Sequence, residues 1–245
     1  MPPARARVAL TLGEARTPVG SIEPGLAERM QRAGLGLCEA DGTWQLLDPA
    51  DASLEGIASW LNANNLGGRW RGELLAVTDE WMRALASVER AAVRVLGLTT
   101  FAVHLVAARA GGSVWVQQRA ADKATDPGLW DTTMGGQVGA GETTQTALER
   151  ETFEEAGLEI AQLKGLAPGG RVSVRRPVVE GYMVEHIETF EATVADDVTP
   201  INRDGEVQRF ECLRVDQLWE RLLAEQFTLE AALVLADWLE RRARS

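Results

Sequence analysis

The chain has 245 residues, 45% hydrophobic and 25% charged, which suits one large domain or two modest ones with a proper core. A formal net charge of −11 argues against a nucleic-acid backbone as main partner, because that needs a basic face; a small phosphorylated ligand stays open if a divalent cation offsets its charge. Cys38 and Cys212, two cysteines far apart and without C-x-x-C spacing, point away from a disulfide framework or zinc site, His104 and His186 are too few for a histidine metal cluster, and no apolar run approaches a membrane span. The N-terminus has no leader-like apolar region, so the expected compartment is the cytoplasm.

In chain order, "GLAERMQRAG" has helical periodicity closed by glycine, and "GTWQLLD" and "ELLAVTD" are expected as short strands. "DEWMRALASVERAAVRVLG" is expected as a second helix ending at Gly97. The character changes there, dividing the chain into an N-terminal accessory domain (1–97) and a second domain (98–245). "TTFAVHLVAAR" and "SVWVQQRA" form a predicted hairpin, followed by a loop over 121–134. After a glycine-rich and acidic segment come predicted strands at "VEGYMVEHIETFEATV" and "VQRFECLRV", then helices at "DQLWERLLAE" and "TLEAALVLADWLERRAR". Interleaved strands and helices predict an α/β or α+β fold.

The segment "GGQVGAGETTQTALERETFEEAGL", residues 135–158, carries the chemistry. Thr143 or Thr144 is placed to cap a helix reaching about Ala156, with Gly157 as a left-handed terminator. Glu151, Glu154 and Glu155 then share one helix face at i, i+3 and i+4. Like charges at that spacing repel, which calls for a compensating cation, and oxygen-only ligands suit a hard ion such as Mg²⁺ or Mn²⁺. Arg150 is beside them, to hold a carboxylate or contact a phosphate. Gly135, Gly136, Gly139 and Gly141 let main-chain groups approach a ligand closely, through a carbonyl on the metal or amides on a phosphate. Taken alone, the acidic helix is better read as a solvated face after a flexible loop.

The full spacing favours the metal site. Gly136, Glu142, Arg150, Glu151, Glu154, Glu155, Gly157 and Leu158 resemble the Nudix box of the Nudix hydrolases at every charged and glycine position. Thr152 departs from it, standing where the family usually has an aliphatic residue. The resemblance implies an α/β/α sandwich with the box as loop–helix–loop, preceded by a smaller N-terminal α+β domain. It further implies that Glu151 and Glu155 are metal ligands, Glu154 a ligand or base, Arg150 an orienting partner and the Gly135 carbonyl a further ligand. The implied reaction is metal-dependent hydrolysis of a diphosphate linked to another moiety. Glu206, in "RDGEV", stands where such enzymes often carry an additional catalytic or metal-binding glutamate; a plain turn residue is the competing expectation.

Outside the box, Arg119 and Lys123 are placed to reach diphosphate oxygens, and Trp130 or Trp70 to stack on an aromatic substrate, against the plainer roles of solvated charge and core packing. Arg171, Arg175 and Arg176 form a basic cluster able to steer an anion, with Arg175 taken as the substrate contact. His104 is expected in the core, and Asp131 as a loop cap. "PVG" at 18–20, "RWRGELLAV", "ERAA", "FAVHL" and "FTLEAALVLADWL" resemble a Nudix subgroup related to thiamine pyrophosphokinase-associated proteins, which implies thiamine diphosphate or its oxo and oxy analogues as substrates. Alternatives are ADP-ribose, NADH or dinucleotide hydrolysis, a non-catalytic Nudix ligand sensor, and isopentenyl-diphosphate isomerase, which resembles this chain around "PG-W" but needs a cysteine at its site. A homodimer is compatible with the eight tryptophans.

Overall fold

The computed structural model describes residues 1–123 and 125–244. The chain divides into two compact units. The first comprises Met1–Thr100 together with Gly139–Gly141 and Ser173–His186; the second comprises Phe101–Val138, Glu142–Val172 and the chain from Ile187 onward.

In the first unit, β1 (Val8–Leu12), β2 (Thr17–Ile22), α1 (Pro24–Arg32), β3 (Leu37–Ala40) and β4 (Thr43–Leu46) precede α2 (Ala50–Ala63). The four strands are ordered β2-β1-β4-β3, with β1 and β4 parallel. Leu10, Met30, Leu46, Leu54 and Ile57 are fully buried between this sheet and its helices. A two-stranded ribbon follows, β5 (Leu74–Thr78) paired antiparallel with β6 (Ala84–Glu89), then a four-residue α3 (Arg90–Val93).

The long helix expected over "DEWMRALASVERAAVRVLG" is instead a turn, the strand Ala84–Glu89 and the short α3. The cause is local and tertiary together. The Asp79 carboxylate accepts hydrogen bonds from the backbone N–H groups of Trp81 and Arg83, both at 2.9 Å, and Met82 takes a left-handed φ of 63°. This side-chain-made turn competes with helix initiation, and β5 then supplies a ladder partner. The segment Gly139–Gly141 meets the same ribbon: the Ala140 N–H donates to the Leu74 carbonyl at 2.8 Å.

The main sheet contains β7 (Thr99–Ala108), β8 (Val114–Arg119), β9 (Trp130–Asp131), β10 (Met134–Gln137), β11 (Leu163–Val178), β12 (Gly181–Val194) and β13 (Val207–Leu213). Its order is β11-β12-β7-β8-β13, with β10 on β7 and β9 on β8. Three helices accompany it: α4 (Thr144–Ala156), α5 (Val215–Leu223) and α6 (Leu229–Arg244). Residues 102–108 of β7 are all buried, so both of its faces are covered, as in a layered α/β fold. One face packs Val103 and Leu105 with Ala147, Leu148 and Ala156 of α4.

β11 was not expected as a strand. Its sequence "LKGLAPGGRVSVRRPV" lacks apolar alternation, and it ends the sheet path, where exposed polar residues and Pro168 cost no ladder bonds. Among the described residues no helix is long and apolar enough to cross a membrane.

Candidate metal and diphosphate site

The box forms the predicted loop and helix. Thr143 is the N-cap, its hydroxyl accepting from the Thr146 N–H at 3.1 Å, and Gly157 closes α4 at φ 62°. A side chain at Gly157 would also meet the Ile201 carbonyl at 2.6 Å, so glycine is required there twice over. Two more box glycines are steric necessities: a Cβ at Gly135 would sit 2.8 Å from the His104 ring, and one at Gly136 would overlap the Glu151 side chain. Gly136 thus lets α4 lie close on β10, while Gly135 makes room for the His104 ring of β7.

Arg150 gathers the acidic groups on one side of α4. Its Nε and Nη2 donate to the two Glu142 oxygens at 2.7 and 2.8 Å, a bidentate pair, and Nη2 also reaches the Gln137 carbonyl at 3.1 Å. Its Nη1 lies 2.7 Å from Glu151 and 3.2 Å from Glu154. The Glu142 hydrogen bonds, followed by the charge of Glu151, raise the guanidinium pKa despite its partial burial.

Glu155 is in a different environment. It is 3% exposed, and one carboxylate oxygen accepts from the Gln117 side-chain amide at 2.8 Å and from the Gly135 N–H at 3.1 Å. Burial, reinforced by the negative charge of Glu151, pushes its pKa up to about 7, against the opposing pull of Gln117, Lys123 and Gly135. Glu155, Asp204 and Glu206 each offer an oxygen, and these oxygens all lie within 4.8 Å of one another. Asp204 is also raised by burial, and its carboxylate accepts the Glu206 N–H at 2.8 Å. Lys123 forms an ion pair with Glu206. Three carboxylates around one ammonium, with Glu155 held towards its neutral form, are a donor set that fits a hard divalent cation.

Of the residues singled out in sequence, Arg150, Glu151, Glu154 and Glu155 meet on α4, and Glu206 and Lys123 join Glu155. Gly135 contributes its N–H to Glu155. Arg119 is engaged with Asp131 at 3.2 Å and the Thr125 carbonyl at 2.9 Å. Trp130 is 5% exposed, with the guanidinium carbons of Arg209 and Arg221 over its ring at 5.3 and 4.5 Å. It is a packing residue covered by cations, not an open stacking face; Trp70 is 42% exposed. Arg175 belongs to the first unit, where its carbonyl accepts from the Met1 amino group at 2.8 Å. His104 is buried and bonded to Thr132 at 3.0 Å, a core histidine as expected.

Two residues of this centre were not singled out as ligands or supports. Asp204 was treated as part of a turn, though its place two residues before Glu206 was the available signal. Gln117 sits in an apolar strand, and no local pattern marks it; only the approach of α4 gives its amide a carboxylate.

The NUDIX domain family matches residues 98–237, more than half of the chain. The chain belongs to the Nudix family. An uncharacterized Nudix hydrolase of Pseudomonas aeruginosa, PA4841, is 39% identical over 92 residues, 38% of this chain and 54% of the relative. The chain thus spans about half the length of that relative. An isopentenyl-diphosphate Delta-isomerase of Pectobacterium atrosepticum is 29% identical over 164 residues, 66% of this chain and 89% of the relative. The crystal structure of DR0079 from Deinococcus radiodurans superposes with a TM-score of 0.54 at 24% identity, covering 68% of this chain and 99% of its own, a likeness of fold.

Proposed function

We propose that this Nudix chain is a divalent-metal-dependent diphosphohydrolase whose favoured substrates are thiamine diphosphate or its oxidised analogues. The observation that carries the hydrolase reading is Glu155: a buried carboxylate with a raised pKa, hydrogen-bonded to Gly135 and Gln117, flanked by Glu151, Asp204 and Glu206. Glu151, Glu155 and Glu206 would hold Mg²⁺ or Mn²⁺, with Glu154 and the Gly135 carbonyl completing the set. When bound, the cation polarises the phosphoanhydride and offsets charge developing on its oxygens. Arg150 keeps Glu142, Glu151 and Glu154 in fixed directions. Glu154, with a half-exposed side chain, is placed to take a proton from an attacking water. Lys123 and Arg119 would orient the diphosphate.

The thiamine assignment rests on the stretches outside the box, and in it residues 1–97 act as a specificity domain for the hydrolase over 98–245. Free Cys38 and Cys212 support a reducing compartment, the cytoplasm. The isomerase reading has the Pectobacterium relative in its favour. Against it, Cys38 lies in the first unit and Cys212 pairs across from Trp115 on β13, so neither is on β10 or α4.

A phosphate-release screen with Mg²⁺ and with Mn²⁺ tests the proposal. It compares thiamine diphosphate and its oxo and oxy analogues with ADP-ribose, NADH, dinucleoside polyphosphates and nucleoside triphosphates. Preferential turnover of the thiamine compounds is expected. Turnover of the nucleotides alone would keep the hydrolase and remove the thiamine assignment, and no turnover with either metal would favour a ligand sensor.

A further inference from the structure

The first unit contains a cavity of about 620 Å³, within the range of small-ligand sites. Arg5, Arg7 and Arg29 line it against two carboxylates, Glu23 and Glu180, so its wall is net positive in a chain of net charge −11. Arg5 and Glu23 pair with each other at 3.2 Å. Among the described residues, neither Arg7 nor Arg29 has a carboxylate at ion-pair distance.

Arg7 is built into the wall. Its Nε donates to the Ser21 hydroxyl at 3.0 Å, and its Nη2 donates to the Ser21 carbonyl and, at 2.6 Å, to the Val95 carbonyl. Burial lowers its pKa, the mark of a charge placed where solvation is poor. Those bonds fix the guanidinium, and among the described residues Nη1 has no hydrogen-bond acceptor. Arg29 extends from α1 with its guanidinium carbon 5.5 Å over the Trp60 ring. The first turn of α1 contributes Gly25 and Leu26 to the same wall; it carries no acidic side chain, and Glu23 makes no side-chain cap. The Leu26 and Ala27 N–H groups donate to the Glu23 carbonyl and Pro24 has no N–H, so the Gly25 N–H is what the start of α1 offers a ligand. Leu66 and Val178 provide an apolar side.

We propose that this cavity is a second ligand site, separate from the box, that takes a small phosphate-bearing molecule. Its phosphate lies between Arg7, Arg29 and the start of α1, and its organic part rests against Leu26, Leu66 and Val178. Fixed guanidinium groups suit a tetrahedral oxyanion better than a hydrated lysine would, because their paired donors are already oriented.

The test is a titration of the full-length chain in EDTA with inorganic phosphate, followed by amide and indole NMR, with sodium chloride at matched ionic strength as control. Saturable shifts at Gly25, Leu26 and the Trp60 indole are expected with phosphate and not with chloride. Arg29→Ala should weaken the apparent affinity at least tenfold; α1 is held by its buried Ala27 and Met30, so this variant keeps the fold. Arg7→Lys should weaken it as well, and if that variant fails to fold, Arg29→Ala decides alone. No saturation, shifts confined to Gly135–Gly141, or an affinity unchanged in Arg29→Ala would each overturn the proposal.

Discussion

Along the one acidic face of α4, crowded carboxylates are handled in two different ways. In one, Arg150 meets Glu142, Glu151 and Glu154, a single fork of donors that orders three acids at a partly exposed position. In the other, Glu155 is buried against Gln117 and Gly135, with Asp204 and Glu206 close and Lys123 as the cation paired in the cluster. Each arrangement sets three carboxylates against one cation, so charge alone does not separate them. The first is partly open to water, whereas burial in the second pushes the Glu155 pKa up to about 7. A desolvated carboxylate among other acids is the feature that suits an added cation.

The largest expected effect removes that feature. Glu155→Gln keeps the size and the Gly135 hydrogen bond while discarding the charge, and phosphate release should fall by about 10³-fold or more, as for loss of a group that positions a catalytic charge. The same variant should be more stable than wild type at pH 8 without metal, since no carboxylate must ionise in the core. A variant with near wild-type turnover would show that the buried Glu155 cluster is not the reactive one.

The next effect is a pH dependence. The folded pKa of Glu155 is raised from the model-compound 4.5 to about 7, so the folded state binds this proton more tightly than the unfolded chain. Its contribution is full below pH 4.5 and is lost as pH rises to about 7, beyond which it is flat. Metal-free stability measured by urea unfolding should therefore lose on the order of 3 kcal/mol from this group between pH 4.5 and 7.5. Saturating Mg²⁺ should shrink or reverse the slope, because the ion binds the ionised form. A metal-free stability that rises over this window, with the other carboxylates controlled by Glu155→Gln, would contradict the raised pKa.

Arg150→Ala tests the partly exposed cluster. Leaving Glu142, Glu151 and Glu154 without their shared cation should cost about 2 kcal/mol, less than a fully buried pair because Arg150 is partly exposed. Arg150→Lys should recover only part of this, since an ammonium cannot make the bidentate contact with Glu142. Equal stability of the two variants in equilibrium unfolding would mean that the fork geometry contributes nothing.

The smallest effect concerns the hydrophobic underside of the helix. Thr152 is fully buried, and its hydroxyl has no hydrogen-bond partner among the described residues. Thr152→Val keeps the shape and removes the unsatisfied group, so it should stabilise the protein by about 1 kcal/mol and raise the thermal midpoint by about 2–4 °C. Calorimetry of the two proteins, together with unchanged turnover, separates this packing position from the acidic face.

Local rules account for the parts of the molecule that were legible in advance. The N-cap at Thr143, the left-handed Gly157, the carboxylate spacing on α4 and the β7–β8 hairpin depend on neighbours in sequence, where steric and hydrogen-bond preferences act directly. The ribbon strand over Ala84–Glu89 was misjudged because its helical periodicity was a weaker term than the Asp79 turn and the ladder with β5. β11 was missed because most of its side chains are exposed or half-buried, and the two that are buried, Leu163 and Val174, are too far apart to set an alternation. Trp130 shows the same limit at a side chain: its type suggests a stacking platform, but burial and two overlying arginines assign it to packing.

The sequence by itself determined the family, the helix that carries the acids, and the oxygen-rich chemistry of its face, because spacing along a helix converts directly into geometry. Tertiary structure decided which acid is desolvated. Glu151, Glu154 and Glu155 are alike as letters; only the approach of α4 to β8 and β10, over glycines that leave no room for a Cβ, buries Glu155 against Gln117 and draws Asp204 and Glu206 towards it. Electrostatic character depends on the loss of water around a group, and that loss exists only once distant segments have packed together.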